Sequence, residues 1–336
     1  MQALQCRPFS SAKLGARRPR AHITVRASVA APSAPTKTFH TLPDGKKLEL
    51  LVQKAAAGSS SSGRPPLLFV HGSYHAAWCW QENFMPYFAA RGYDTYAVSL
   101  RAQGGSDPAP AGVTVAGTLD VHAADLASLV PAVAASSGGG GAPVMLGHSF
   151  GGLIVQKYVL GSAKPGAAAT STSPGSFAPL SGAGFLCSVP QSGNKQMVTR
   201  FLFRDPILSL KLTWGFVARS FATSLTACRE LFFSADIPAD KLERYQKLLA
   251  AASPTRLIDL KDMNAQVPLP APPPTAPPAF VLGGVEDKVV DTDAVEELAR
   301  YYGTRPVLLP AVAHDCMLDT RWEKAAQELE KWLAGL

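Results

Sequence analysis

A serine flanked by glycines follows a short apolar run near the middle of the chain, and no other feature restricts the possible folds as strongly. Residues 143–146 are apolar, and residues 147–151 read Gly-His-Ser-Phe-Gly. Glycines two positions before and after Ser149 allow a strand and a helix to approach closely while the serine remains accessible. The G-x-S-x-G pattern is typical of a nucleophile elbow, a strained turn from strand to helix, and predicts Ser149 as a nucleophile.

The sequence on either side of the motif fits this interpretation. Residues 150–160 carry apolar side chains at helical spacing, and Gly161 marks the end of that helix. A second apolar run, residues 66–70, leads into His71-Gly72-Ser73. Because it is short, continuous and apolar, this run predicts a buried parallel strand that ends in a loop.

A serine needs a base and a group that orients the base, and both candidates follow Ser149 along the chain. Residues 279–284 predict a strand that delivers Asp287 to its carboxyl end, and residues 306–310 predict another that delivers His314. The order serine, acid, histidine is that of a hydrolase triad built on a parallel sheet. The sequence therefore predicts Ser149, Asp287 and His314 as catalytic residues.

From about Phe39 to its end, the chain resembles the α/β-hydrolases. Residues 71–80, which read His-Gly-Ser-Tyr-His-Ala-Ala-Trp-Cys-Trp, resemble a signature of bacterial and plant esterases, and plant methylesterases and hydroxynitrile lyases carry a similar one. Residues 314–319 resemble the histidine loop of the same group. Residues 99–106 depart from the family loop, since Ala102 and Gln103 stand where glycine and histidine are usual, so no role is transferred to them.

The resemblance implies an α/β fold with a mostly parallel sheet of the eight-stranded type, helices on both faces and a helical cap inserted after the sixth strand. It also implies that the backbone N–H groups of Ser73 and Phe150 form the oxyanion hole. No cofactor and no metal are expected, because a serine triad needs neither and no metal-ligand spacing is present.

The expected organisation places the hydrolase core in residues 38–193 and 279–336, the helical cap in 194–263 and a proline-rich connector in 264–278. The cap segment is rich in aromatic residues, of which a part is expected to form the cap's own core and the rest an apolar pocket above the serine.

Residues 1–27 contain five Arg, one Lys and no acidic residue, which is the composition of an organelle transit peptide. We expect this leader to be cleaved and the protein to reside in the chloroplast stroma, with the mitochondrion as the alternative. The alternative interpretation of residues 1–27 is a disordered basic tail. Because the leader supplies most of the net charge of +7, a nucleic-acid partner is not expected, and no apolar run predicts a transmembrane segment.

These features predict a serine hydrolase that cleaves a carboxylic ester with a sizeable apolar part, with a small-molecule ester as its partner. The alternatives are a small-molecule methylesterase or lyase of the same fold, or a receptor that keeps the fold and senses a small molecule. The sequence does not specify the ester or the oligomeric state.

Overall fold

A computed structural model describes residues 33–56, 63–138, 141–162 and 177–336. The predicted leader, residues 1–27, lies outside the described residues. The strands, in chain order, are β1 (Thr36–Thr41), β2 (Lys47–Gln53), β3 (Leu67–Val70), β4 (Thr95–Val98), β5 (Val115–Gly117), β6 (Val144–His148), β7 (Gly182–Leu186), β8 (Arg256–Ile258), β9 (Ala279–Gly284) and β10 (Pro306–Leu309).

The helices, in the same order, are α1 (Trp78–Gln81), α2 (Phe84–Ala89), α3 (Leu119–Ser136), α4 (Phe150–Ser162), α5 (Lys195–Arg204), α6 (Pro206–Val217), α7 (Leu225–Phe232), α8 (Ala239–Ala250), α9 (Leu260–Gln266), α10 (Thr292–Tyr301) and α11 (Trp322–Leu333). A single turn of 3₁₀-helix, Ser220–Ala222, joins α6 to α7. None of the described helices is long and apolar enough to cross a membrane.

Eight strands form one sheet in the order β1-β2-β4-β3-β6-β7-β9-β10. The pairs β1 with β2 and β2 with β4 are antiparallel, and all other neighbours are parallel. The predicted mostly parallel, eight-stranded α/β sheet is thus confirmed. Since β3, β6, β7, β9 and β10 run in one direction, their carboxyl ends, and the loops that follow them, meet at one edge.

The central strands β3, β4, β6 and β7 are buried along their whole length because both faces of the sheet are covered. Along β3, Leu67 and Phe69 pack into one core while Leu68 and Val70 pack into the other. This alternation follows from the two-residue repeat of a strand. Residues from α1, α2, α11 and the cap line the first core, and residues from α3, α4 and α10 line the second.

The cap follows β7, which is the sixth strand of the main sheet along the chain, as predicted. It contains α5 to α9, and α9 runs three residues past the expected cap boundary at 263. The cap also includes strand β8, which pairs in parallel with β5 of the core in a separate two-stranded sheet. A strand of three residues is too short to show a repeat in the sequence, and so this attachment of cap to core was not predicted.

Candidate active site

Ser149 lies between the end of β6 and the start of α4, and its φ of 52° places it in the left-handed region. The neighbouring glycines are required by close contacts. A Cβ atom on Gly147 would lie 2.6 Å from the Gly152 Cα, and one on Gly151 would lie 2.4 Å from the His71 carbonyl oxygen. The turn therefore has the strained geometry of a nucleophile elbow, with the serine at its tip.

Asp287 and His314 are brought together by the loops that follow β9 and β10. The Nδ1 atom of His314 lies 2.9 Å from Oδ2 of Asp287, and both side chains are buried. The other carboxylate oxygen of Asp287 accepts hydrogen bonds from the backbone N–H groups of Val289 and Val290, at 2.7 and 2.9 Å. The carboxylate is therefore fixed in position, and it determines which ring nitrogen of His314 carries a proton.

The surroundings of His314 act on its pKa in opposite directions. Burial lowers the pKa because it disfavours the charged ring, whereas the charge of Asp287 and its hydrogen bond raise it. The net effect is a pKa above the usual value of 6.5. His314 is thus a stronger base than a histidine in water, as proton transfer from a serine requires.

Contacts of the residue before Ser149 bring the serine turn close to His314. The Nε2 atom of His148 donates a hydrogen bond of 3.0 Å to the His314 backbone carbonyl, and the two ring centroids are 4.7 Å apart. The two loops are thus in direct contact. The hydrogen bond from the Ser149 hydroxyl to Nε2 of His314, which a triad needs, remains a prediction.

The loop after β3 passes directly against the serine. A Cβ atom on Gly72 would lie 2.7 Å from the Cβ of Ser149, so the following Ser73 is near the serine as well. Within the described ranges, the backbone N–H groups of Ser73 and Phe150 donate to no protein acceptor. Phe150 is the first residue of α4, where the helix dipole favours negative charge. Two available donors next to the serine are what an oxyanion hole requires.

Other acidic residues near the triad have different partners. Asp291 accepts from the N–H of Ala294 at the start of α10 and forms an ion pair with Arg200 of the cap. Asp315, directly after His314, is fully buried and accepts a hydrogen bond of 2.9 Å from Nε2 of His75. Asp287 is thus the carboxylate that binds the His314 ring.

A buried cluster of His75, His148 and Asp315 next to His314 was not predicted as part of the site. Both ring nitrogens of His75 face acceptors, since Nδ1 donates to the Ser73 carbonyl at 2.8 Å and Nε2 donates to Asp315. The sequence signal was present in the second histidine of the residue 71–80 signature and in the acid after His314.

The same three residues could reach a metal ion, because their ligand atoms lie within 4.8 Å of one another. The hydrogen bonds of the two histidines argue against metal binding. A metal ligand needs a nitrogen lone pair, whereas Nε2 of His75 and Nε2 of His148 each donate a proton to an oxygen. Burial lowers the pKa of His148 well below 6.5, and the neighbouring His314 and His75 add to this effect, which keeps this ring neutral. The cluster contains one internal hydrogen bond, from His75 to Asp315, and His148 is held by its bond to the His314 carbonyl.

Aromatic residues of the cap lie over the site. The ring of Phe232 is 6.4 Å from the His314 ring, and Phe216 and Phe221 pack against Phe232. Phe216 also stacks with Tyr74, the residue after Ser73. The aromatic side chains predicted in the cap divide into a buried group over the triad and an exposed group on the outside.

A cavity of about 490 Å³ opens beside this aromatic cover. Tyr74, His75 and Trp78 line one side of it, and Leu248 and residues 251–255 of the cap line the other. Ser149 does not line it. The cavity thus lies beside the loop after β3, and Tyr74 belongs both to its wall and to the aromatic group that includes Phe216 and Phe221.

Gln103, which replaces the usual family histidine, has a structural role between core and cap. Its side chain is buried and donates a hydrogen bond of 3.0 Å to the carbonyl of Thr255, directly before β8. The departure from the family loop thus falls at the point where the cap is attached to the core.

Comparisons with known proteins agree with this architecture. A profile described as "Alpha/beta hydrolase family" matches residues 67–328. The esterase PIR7B of Oryza sativa subsp. japonica is 38 % identical over 96 residues, which are 29 % of this chain and 33 % of the relative, so the match spans about a third of that protein.

Solved structures of low sequence identity share the fold. The esterase RhEst1 from Rhodococcus sp. ECU1013 is 17 % identical with a TM-score of 0.56, and the match covers 90 % of this chain and all of the esterase. A soluble variant of the monoglyceride lipase from Saccharomyces cerevisiae is 16 % identical with a TM-score of 0.63, covering 90 % of this chain and 95 % of the lipase. The family profile covers most of the chain and the sheet has the expected order, and the protein therefore belongs to the α/β-hydrolase family.

Proposed function

We propose that the protein is a serine hydrolase that cleaves a carboxylic ester with a sizeable apolar part. The observation that carries the proposal is the buried hydrogen bond between Asp287 and His314, formed beside a serine in a strained left-handed turn. A nucleophile, a base and an orienting carboxylate in this order are the parts of a hydrolytic triad. The fold shared with esterases and lipases supports the same class of reaction.

The proposed reaction has two halves. In the first, Nε2 of His314 takes the hydroxyl proton as the Ser149 oxygen attacks the ester carbonyl carbon, and the N–H groups of Ser73 and Phe150 bind the resulting oxyanion. Collapse of this intermediate breaks the ester bond, and the leaving alcohol takes the proton from His314. In the second half, His314 deprotonates a water molecule that attacks the acyl-enzyme, and the proton then passes from His314 to the Ser149 oxygen as the acid is released.

Asp287 stays ionised throughout and stabilises the imidazolium that forms twice in each cycle. Its remaining oxygen is already bonded to two backbone N–H groups, so the carboxylate does not have to reorganise during the reaction. Burial of both side chains strengthens their attraction because water is excluded.

The preference for an apolar substrate is supported by the side chains above the triad. Phe216, Phe221 and Phe232 come from three different cap elements and pack together next to His314 and Tyr74. An apolar acyl or alcohol group that enters this region would be removed from water, which favours binding. We place the enzyme in the plastid stroma on the basis of its basic leader, residues 1–27.

A fluorophosphonate probe together with a panel of nitrophenyl esters tests the proposal. The probe should label Ser149 and no other residue, and Ser149→Ala should abolish labelling and turnover while its thermal unfolding stays close to that of the wild type. Labelling at another residue, or turnover by the variant, would refute the assignment. Preference for methyl esters of polar acids would favour a methylesterase, and saturable binding without turnover would favour a receptor.

A further inference from the structure

The outer side of the cap exposes large apolar side chains. Four residues of α6, Ile207, Leu210, Trp214 and Val217, are 80, 72, 66 and 75 % exposed. They occupy positions i, i+3, i+7 and i+10, which form one face of a helix. Phe203 at the end of α5 is 84 % exposed. We call these five residues the outer patch.

The opposite side of α6 is already packed against the protein. Leu212 is buried, Phe216 stacks with Tyr74, and Gly215 approaches Leu231 so closely that an added Cβ would lie 3.1 Å from its side chain. Turning the outer patch inward would break these contacts, so the patch is held towards the outside. Phe203 and Trp214 alone expose on the order of 300 Å² of aromatic surface, which is in the range of patches that mark interaction sites.

The charges around the outer patch favour an anionic partner. The segment 195–219 contains five cationic side chains and a single acidic one, Asp205. Arg200 is held by Asp291, and Arg219 by backbone carbonyls of residues 250–253, so the exposed cations are Lys195, Arg204 and Lys211. Arg204, at 55 % exposure, pairs with Asp291 and Asp293 of the core, and Lys211, at 62 % exposure, pairs with Glu230. The exposed pair of Lys211 contributes little, so this cation can turn to other anions. Long basic side chains beside apolar ones suit a bilayer surface, because their charged ends reach the headgroups.

A second copy of the chain fits the outer patch less well. A symmetric dimer places the same surface of two copies in contact, and it would bring the basic side chains of both copies together. The same charges attract the negative headgroups of an anionic bilayer.

We propose that the outer patch binds the surface of an anionic lipid bilayer as a peripheral attachment, with its apolar side chains inserted at the level of the headgroups. This attachment does not involve Ser149, Asp287 or His314, so it stands independently of the proposed reaction. It places the cap, and with it the aromatic cover of the triad, next to the region where apolar esters accumulate.

Flotation of the full chain with lipid vesicles tests the attachment. The probes are vesicles of phosphatidylcholine alone and of phosphatidylcholine with about one third phosphatidylglycerol. The double variant Leu210→Glu/Trp214→Glu removes apolar contacts and adds negative charge within the outer patch. The matched control is Phe39→Glu, because Phe39 is also a large apolar residue, 50 % exposed, but lies on β1 at the edge of the main sheet.

We expect the wild type and Phe39→Glu to float with the anionic vesicles and to bind the neutral ones less. The double variant should lose binding by at least about tenfold, with unchanged hydrolysis of a soluble acetyl ester. The proposal is wrong if the wild type does not float, if neutral vesicles bind it equally well, or if Phe39→Glu loses as much binding. A dimer detected by sedimentation and abolished by the double variant would show instead that a second copy covers the patch.

Two buried histidines, His75 and His148, connect loops of the candidate active site. His75 bridges the loop after β3 and the histidine loop. Its two ring nitrogens donate to the carbonyl of Ser73 in the first loop and to Asp315 in the second. His148 bridges the serine turn and the histidine loop through the His314 carbonyl. Three of the four loops that carry the proposed catalytic groups are thus joined by two buried histidines.

We infer that His75, held by Asp315, is a positioning residue that fixes Ser73 relative to His314. The inference rests on the proposed function, since it concerns the geometry of that reaction. Misplacement of an oxyanion donor by about 1 Å costs on the order of 100-fold in rate. The loss should therefore appear in kcat rather than in KM.

Substitution of His75 by Gln tests this role, with His122→Gln as the matched control. His122 is equally buried and donates one hydrogen bond, to the Leu257 carbonyl, but it lies in α3 outside the site. We expect His75→Gln to lower kcat about 100-fold with little change in KM. Asp315→Asn, which keeps an acceptor oxygen, should retain more activity than Asp315→Ala.

Equal losses of kcat in the two histidine variants, or an unchanged kcat in His75→Gln, would overturn the positioning role. Thermal unfolding of both variants separates loss of fold from loss of rate. The wild-type labelling of Ser149 tests the proposed function separately, so that failure of one claim is distinguishable from failure of the other.

Discussion

The Asp287 carboxylate and the His314 ring are joined by a hydrogen bond of 2.9 Å, and the second oxygen of Asp287 is occupied by two backbone N–H groups. His314 therefore has one defined tautomer, with its proton on Nδ1 and a lone pair on Nε2.

Substitution Asp287→Asn should lower kcat by about 10⁴-fold, because an amide can donate to Nδ1 and so stabilise the wrong tautomer. Steady-state hydrolysis of a nitrophenyl ester measures the loss. Glu286→Gln is the control, since Glu286 is adjacent in sequence but exposed, and its kcat should remain within about tenfold of the wild type. A larger loss for Glu286→Gln than for Asp287→Asn would show that the acid has been assigned incorrectly.

The raised pKa of His314 predicts opposite pH dependences of activity and stability. The ring must be neutral to accept the serine proton, so kcat/KM should rise with pH through an apparent pKa above 6.5. The ion pair of His314 with Asp287 stabilises the fold fully below the unfolded pKa, and this contribution is lost as the pH rises through the folded pKa.

Denaturant unfolding at about pH 5.5 and about pH 9 checks the stability half of this prediction. The difference in unfolding free energy between wild type and Asp287→Asn should be larger at the lower pH. An equal difference at both values would mean that the His314 pKa is not raised by Asp287.

Some aromatic residues of the cap are buried near His314 and others are exposed on its outer side, and only the buried ones are expected to affect substrate choice. Each methylene of an acyl chain buried under Phe232 contributes about 0.8 kcal/mol, or roughly fourfold in kcat/KM. Phe232→Leu should therefore reduce the preference for long over acetyl esters, whereas Phe203→Leu should not change it, because Phe203 faces outward. If kcat/KM of the wild type did not change with acyl chain length, the prediction of an apolar pocket under Phe232 would be wrong.

The basic leader, residues 1–27, is predicted to be cleaved from the mature protein. If residues 1–27 are a transit peptide, protein isolated from its native cell should begin near Ala27 or Ser28. Terminal sequencing by mass spectrometry provides the measurement. An intact Met1 in the mature protein would exclude cleavage, and import into isolated mitochondria but not plastids would favour the alternative compartment.

The sequence predicted the parts of the molecule that depend on local patterns. The strand, turn and helix around Ser149, and the strands that lead to Asp287 and His314, each follow from a short apolar run and its flanking residues. The common edge of a parallel sheet then brings the three loops together, and for this reason the core of the candidate site could be anticipated.

Contacts between distant segments were not predictable in the same way. His75 and Asp315 are separated by 240 positions, and β5 and β8 are three-residue strands without a visible repeat. The split of the cap aromatics into inner and outer groups also depends on how the cap helices pack. Such features follow from tertiary contacts, which a local pattern does not contain.

The two ends of the cap are attached to the core in chemically different ways. At the β8 end, the backbone N–H groups of Arg256 and Asp259 donate to the carbonyls of Thr114 and Gly117, and substitutions other than proline leave these bonds in place. At the α5 end, the attachment includes the ion pairs of Arg200 and Arg204 with Asp291 and Asp293. A single substitution of Arg200 or Arg204 can therefore weaken the α5 attachment while the β8 attachment persists. The cap can then change its position above Ser149 by turning about its β8 end, without a change in the fold.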